Sequence, residues 1–176
     1  MVRRDTTLPR EVLSKYMNNY FVETGTSEGS GVQLALDLGF KNIISIEIDP
    51  ELQNKNVERF GDRAKLITGD SLSELRKITP TLIDPATFWL DSHYEKRGPM
   101  GIKECPLYEE LVAIKLSKIN THTIMIDDVR MFGKSKWGTG ILKDRIIQLL
   151  RSINRKYLFT YEDSPMAKGD ILVAHV

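Results

Sequence analysis

The sequence predicts a doubly wound α/β domain, with a mostly parallel seven-stranded sheet and helices on both faces. Three observations predict it. Short apolar runs alternate five times with segments of helical period, an order that yields a parallel sheet covered on both sides. The run 43–48, IISIEI, is almost wholly apolar, as a strand buried on both faces should be. Two last runs, 157–161 and 171–175, are separated only by the turn segment EDSPMAKGD, so they pair as a hairpin and leave the last strand antiparallel.

Composition bounds the function. The 176 residues suit one domain spanning 1–176, long enough to bury a core without staples. With 25 basic and 24 acidic side chains the net charge is +1, so there is no broad electrostatic footprint for nucleic acid. Cys105 is the only cysteine, which excludes an intrachain disulfide and a cysteine-based zinc site and fits a reducing, cytoplasmic compartment. No apolar run approaches the ~20 residues that span a bilayer. The start, MVRRDTTLPREVLSKY, carries no apolar signal core. The oligomeric state, homo-oligomer included, is left open.

The elements follow in order. Residues 8–18 read as a short helix with Leu8, Val12 and Tyr16 on one side. A strand over 20–23 ends at Glu23. Gly25 and Gly29 then allow a tight turn into a helix over 29–38, with Val32, Ala35 and Leu36 toward the sheet and Gly39 as C-cap. After the strand 43–48, Asp49-Pro50 opens a helix with Leu52, Val57 and Phe60 on its apolar side and Gly61 at its end. The strand 64–68 leads to Gly69-Asp70-Ser71, where Ser71 and Glu74 have capping-box spacing; Thr79-Pro80 stops that helix. A strand over 87–90 ends at Asp91 and a polar loop, SHYEKRGPMGIKEC. Leu107, Leu111 and Ile114 mark a helix from Pro106, and a strand over 123–126 ends at Asp127-Asp128. The loop MFGKSKWGTG leads to a helix whose period is set by Ile141, Leu142, Arg145, Ile146, Leu149 and Leu150.

Polar residues gather at the strand ends. In an open α/β sheet ligands bind beyond the carboxyl ends of the strands. Those ends carry Glu23 with the glycine turn, Glu47 and Asp49, Asp70-Ser71, Asp91 with Ser92 and His93, and Asp127-Asp128. The turn after Glu23 is expected to present backbone N–H groups outward at a helix start, a cradle for a small nucleotide-like ligand. A carboxylate at Glu47 can accept hydrogen bonds from vicinal ribose hydroxyls. Asp49 serves chiefly as a cap. The spacing Gly25, Gly29, Gly31 does not match the G-x-G-x-x-G of dinucleotide binding.

ETGTSEG resembles the first motif of class I S-adenosylmethionine-dependent methyltransferases, acidic-x-Gly-x-Gly-x-Gly. Glu23, Gly25 and Gly29 match, and Ser27 stands where the middle glycine is usual. IISIEIDPE, GDS and FWLDSHY resemble the second, third and fourth motifs, so the resemblance runs from about Tyr20 to Phe132. It implies the Rossmann-like fold of that family and S-adenosylmethionine as methyl donor. It implies that the turn of Glu23, Gly25, Thr26, Ser27 and Gly29 holds the methionine part. Glu47 would hold the ribose, Asp70 and Ser71 would lie near the adenine, and Ile48 and Asp91 would also contact the donor.

A second constellation is Asp91, His93, Asp127 and Asp128. Adjacent strands would bring these carboxylates together, where they repel unless something positive lies between them; oxygen ligands suit Mg²⁺. The pattern resembles small metal-dependent O-methyltransferases acting on sugars, macrolides and phenols. That implies Asp91, Asp127 and Asp128 as metal ligands and a small hydroxylated acceptor. His93, near neutral pKa, is the first choice for a base, with Asp91 beside it as the second catalytic residue; His93 could instead complete the metal shell. Tyr94, Lys96, Arg97 and Trp137 are candidates to touch the acceptor. His122 and His175 read as structural, and Cys105 as a cap or packing residue. The alternatives are a non-catalytic donor-binding module and a nucleic-acid methyltransferase; DSHY, where base N-methylation wants Asn/Asp-Pro-Pro-aromatic, argues against the latter.

Overall fold

A computed structural model describes residues 7–93, 105–134 and 138–176. Its strands are β1 (Tyr20–Thr24), β2 (Asn42–Glu47), β3 (Lys65–Thr68), β4 (Ala86–Leu90), β5 (Thr123–Ile126), β6 (Leu158–Glu162) and β7 (Ile171–His175). They form one sheet in the order β3-β2-β1-β4-β5-β7-β6. The first five strands are parallel. β7 inserts between β5 and β6, antiparallel to both. The predicted hairpin and antiparallel last strand are therefore present. The helices are α1 (Arg10–Lys15), α2 (Ser30–Asp37), α3 (Pro50–Phe60), α4 (Ser71–Ile78), α5 (Leu107–Ile114) and α6 (Lys143–Ile153).

Strand alternation divides the core into two layers. Phe21, Ile43, Trp89, Met125 and Val173 face one way, onto Leu13 of α1, Val32 and Ala35 of α2 and Phe60 of α3. Val22, Ile44, Ile46, Phe88, Ile124 and Leu172 face the other way, onto Leu75, Leu111, Ile114, Ile146 and Leu150 of α4 to α6. The same parity sorts the polar residues that follow. Glu23, opposite Ser45 in the β1–β2 register, continues the first set, as does Glu47. Thr24 continues the second. One face of the sheet thus feeds the glycine turn, and the other feeds α4 and α5.

Several local expectations are corrected. α1 is shorter than 8–18, starting after Pro9 and ending before Tyr16. On α3, Val57 is exposed, and Gln53, Asn56 and Phe60 are buried. Two polar side chains occupy that buried stripe because they satisfy backbone carbonyls. Gln53 Nε2 donates to Ser45 O and Ile67 O, and Asn56 Nδ2 donates to Ser27 O. The cap of α4 is Asp70, which accepts the Ser73 N–H at 3.2 Å, not Ser71; Glu74 pairs with Lys77 instead of closing a box. Ile141 and Leu142 precede α6, with Leu142 as its extended N-cap residue. Asp49 caps α3 as expected. Among the described residues no helix is long and apolar enough to cross a membrane.

Gly29 tests this packing. Its φ is +79°, and a Cβ there would lie 2.4 Å from Asn56 Oδ1 and 2.6 Å from the Phe60 ring. Gly39, with φ +89°, has nothing within 4 Å of such a Cβ. Gly39→Ala should cost about 1–2 kcal/mol from left-handed backbone alone. Gly29→Ala should cost roughly 1–3 kcal/mol more from overpacking. Urea denaturation of both variants measures the difference; equal losses would contradict the contact between the turn and α3.

Candidate functional site at the carboxyl edge of the sheet

The turn between β1 and α2 is held from below. Gly25 and Thr26 N–H both donate to Ile46 O, at 2.9 and 3.2 Å, and Gly29 N–H donates to Thr26 O at 2.8 Å. Ser27, itself left-handed with φ +47°, donates its N–H to Glu47 Oε2 at 2.7 Å. These four amides turn inward, contrary to the expectation of an outward-facing cradle, because β2 and the turn itself supply acceptors. Glu47 is nearly buried, and its Oε1 accepts the Asp49 N–H at 3.0 Å. A carboxylate offers about four lone-pair positions. Backbone takes one on each oxygen of Glu47, which leaves capacity for two ligand hydroxyls. Ile48 lies half-buried between Glu47 and Asp49.

Glu23 braces the turn from underneath. It is buried, and its Oε2 accepts the Ser45 hydroxyl at 2.6 Å; that hydroxyl lies 2.6 Å from Thr26 Oγ1. A Cβ on Gly31 would fall 1.8 Å from Glu23 Oε1, so any larger residue there in the first turn of α2 would have to displace this buried carboxyl. Burial pushes Glu23 up to about 8, against the Ser45 hydrogen bond.

The next wall comes from the ends of β3 and β4. Asp70 caps α4, and Ser71 Oγ sits 3.3 Å from Ser92 Oγ. The Ser92 hydroxyl donates to Glu110 Oε1 at 2.5 Å. Glu110 lies on α5, only 1% exposed, and burial pushes its carboxyl up to about 7. Sequence reasoning missed it. Its signal was there: an acid three residues after Leu107 and beside Leu111, on the stripe of α5 that faces the core.

The acidic cluster is continuous with this wall. Asp91 N–H donates to Thr24 O and Asp127 N–H to Leu90 O, both at 3.2 Å, so both residues extend the sheet ladder. His93 Nδ1 lies 3.2 Å from Asp91 Oδ1, and its Nε2 lies 3.3 Å from Asp128 Oδ2. Asp128 has φ +58°, a strained conformation typical of functional loops. Arg130 forms ion pairs with Asp128 and Asp170. Asp127 Oδ2 accepts the Thr7 hydroxyl, while its Oδ1 is buried with no hydrogen-bond partner. Burial, then the Asp91 charge, pushes Asp127 up to about 7. Burial also raises Asp128, helped by Asp91 and opposed by His93 and Arg130.

Two groups here could hold a cation. Asp91, His93 and Asp128 form one, and Asp127, Asp128 and Asp170 the other, each with its ligand atoms within 4.8 Å of one another. The expected trio of Asp91, Asp127 and Asp128 is therefore divided between two groups that share Asp128. Clustered carboxylates with an orphaned buried oxygen on Asp127 fit a hard divalent ion. Arg130 pairs with Asp128, which both groups share, and with Asp170 of the second group. Asp170 was not foreseen because it precedes its strand. β7 runs antiparallel, so its start meets the ends of the parallel strands.

Other expectations fall away from the site. His122 is buried, accepts the Ala86 N–H through Nδ1, and is pushed down to about 4 by burial, a structural histidine. His175 packs its ring 5.2 Å from that of Tyr16. Burial pushes the Cys105 thiol up to about 12, as suits a packing residue. Tyr94, Lys96, Arg97 and Trp137 lie outside the described residues.

The raised carboxyls predict a pH dependence. Folded Glu23 and Glu110 hold protons up to about 8 and about 7, whereas unfolded they release them near 4.5. Their contribution is present in full below the unfolded value and is lost as pH rises through the folded values. The melting temperature should fall from about pH 4.5 to about pH 8, and Glu23→Gln should flatten that fall. A slope unchanged in the variant would contradict a protonated Glu23.

The chain is similar in fold to solved methyltransferase structures. A candidate rRNA methylase from Clostridium thermocellum matches with a TM-score of 0.65 at 13% identity, covering 94% of this chain and 92% of that one. Human methyltransferase-like protein 13, solved with S-adenosylhomocysteine (SAH), matches with a TM-score of 0.63 at 18% identity, covering 97% and 77%. An O-methyltransferase from Bacillus cereus, also solved with SAH, matches with a TM-score of 0.60 at 17% identity, covering 99% and 84%. No protein-family profile and no curated protein matches the sequence. The chain has the Rossmann-like class I methyltransferase fold that its motifs resemble.

Proposed function

We propose that this chain is an S-adenosylmethionine-dependent methyltransferase that methylates a hydroxyl of a small molecule, such as a sugar, assisted by Mg²⁺. The observation that carries the reading is the shared wall between two half-sites. Gly25, in the turn beside Glu47, abuts the backbone of Asp91, which heads the acidic cluster. A donor over the turn would therefore lie next to an acceptor over the cluster.

Each residue has a role in this reading. Glu47 accepts the two ribose hydroxyls on its remaining lone pairs. The turn from Glu23 through Gly25, Thr26, Ser27 and Gly29 carries the methionine part, with Ile48, Asp70 and Ser71 toward the base. The donor supplies a sulfonium methyl, which the acceptor oxygen takes in line, leaving SAH. Asp128, shared by both candidate groups, would hold the metal with Asp91 on one side or Asp127 on the other, and a bound ion would lower the pKa of a coordinated hydroxyl. His93 takes the acceptor proton at a ring nitrogen, and the carboxylates on either side, Asp91 and Asp128, stabilise the imidazolium. Alignment of the two reactants supplies much of the rate. The near-neutral charge of the chain favours a small acceptor over a polynucleotide.

Two measurements test the reading. Calorimetry should detect SAH binding, and Glu47→Ala should weaken it roughly tenfold or more for lost charged hydrogen bonds. An unchanged affinity would remove Glu47 from the site. Titration with Mn²⁺ followed by electron paramagnetic resonance should show a bound ion, and Asp128→Asn should weaken it by roughly tenfold. No bound ion would leave the cluster neutralised by His93 and Arg130 alone. Donor binding without methyl transfer to any hydroxylated acceptor would point to a binding module.

A further inference from the structure

Among the described residues, Glu110 is the most deeply buried acid outside the glycine turn and the acidic cluster, at 1% exposure. A carboxyl on the core stripe of a helix is costly unless its oxygens are satisfied. Here they meet groups from three separate elements. Ser92, in the segment after β4, donates to Oε1 at 2.5 Å. Ser71, at the head of α4, lies beside the carboxyl, and its Oγ sits 3.3 Å from Ser92 Oγ. Thr24, last residue of β1, faces it from the sheet side. Leucine at this position would pack with Leu107 and Leu111 at less cost. The polar choice makes sense if it fixes the loops rather than the core.

We infer that Glu110 is a positioning residue for the methyl-donor site, a buried latch that holds the Ser71 and Ser92 loops at the separation the donor's adenine-bearing half requires. The inference rests on the donor reading above and adds a residue from a helix that contributes no strand-end motif. Ser71 and Ser92 lie at the ends of β3 and β4, the two strands whose following loops flank one wall of the site. A latch between them acts on the base side. The turn from Gly25 to Gly29 is held chiefly by β2 and α3 through Ile46, Glu47 and Asn56, although Ser92 N lies 3.4 Å from where a Cβ at Gly25 would fall.

The test compares two ligands and three variants by calorimetry. SAH carries base, ribose and amino acid; 5′-methylthioadenosine lacks the amino acid. Glu110→Ala should weaken both ligands by a similar factor, roughly tenfold, as loss of a buried hydrogen-bonded group does. Glu110→Gln, which keeps an acceptor oxygen for Ser92, should restore affinity to within about threefold of the parent. Ser92→Ala should reproduce a large part of the alanine effect without touching α5, which covers the case in which Glu110→Ala fails to fold. The latch is overturned if Glu110→Ala and Ser92→Ala bind both ligands as the parent does. It is also overturned if the loss appears with SAH alone, or if glutamine gives no rescue. A parent protein that binds neither ligand would overturn the donor reading itself, and the latch with it.

Discussion

The constraint on which the carboxyl edge of the sheet depends is the contact between Gly25 and Asp91. A Cβ at Gly25 would fall 2.6 Å from Asp91 O, and the backbone there has φ +86°. Two bulky strand ends could not approach this closely. The contact joins the turn after β1 to the segment after β4, and it is extended by the Asp91 N–H bond to Thr24 O. Through it the glycine turn and the acidic cluster become one surface. Without it, Glu47 and His93 would belong to two unrelated strand ends.

The site is rigid on one side and electrostatically loaded on the other. The turn is bound by Ile46 O, Glu47 and Asn56, all from β2 and α3, so its shape does not wait for a ligand. The cluster at the ends of β4 and β5 and the start of β7 holds four carboxylates, of Asp91, Asp127, Asp128 and Asp170, against His93 and Arg130. Asp127 keeps a buried oxygen without a partner. Burial and neighbouring charge make Asp127 and Asp128 hold protons to higher pH than usual, and such a cluster can also draw in a cation. Glu23 and Glu110, raised by burial, sit on opposite faces of the same sheet edge.

Much of this was legible in the sequence, for physical reasons that vary by residue. The layer architecture followed from apolar runs and their alternation with helical periods, and every strand lies where a run predicted it. Glu47, the last residue of β2, and Asp91, Asp127 and Asp128, which follow β4 and β5, were legible because the end of a parallel strand opens onto the carboxyl edge of the sheet. Asp170 was not, since an antiparallel strand reverses that rule. Glu110 was hidden inside a helical period, where an acid reads as an interruption of the stripe and its partners Ser71 and Ser92 are distant in sequence. Val57 was assigned to the core because it is apolar; Gln53 and Asn56 won those positions because β2, β3 and the glycine turn expose carbonyls that need donors. The inward amides of the turn could not be read from glycine spacing, which reports permitted backbone angles and not which acceptors lie beneath.

The most direct measurement of the central claim is a crystal structure of the protein grown with SAH. The account predicts density over the turn from Gly25 to Gly29, the ribose hydroxyls on Glu47, the base beside Ser71, and the sulfur directed toward Asp91 and His93. SAH bound elsewhere, or a ribose turned away from Glu47, would contradict it.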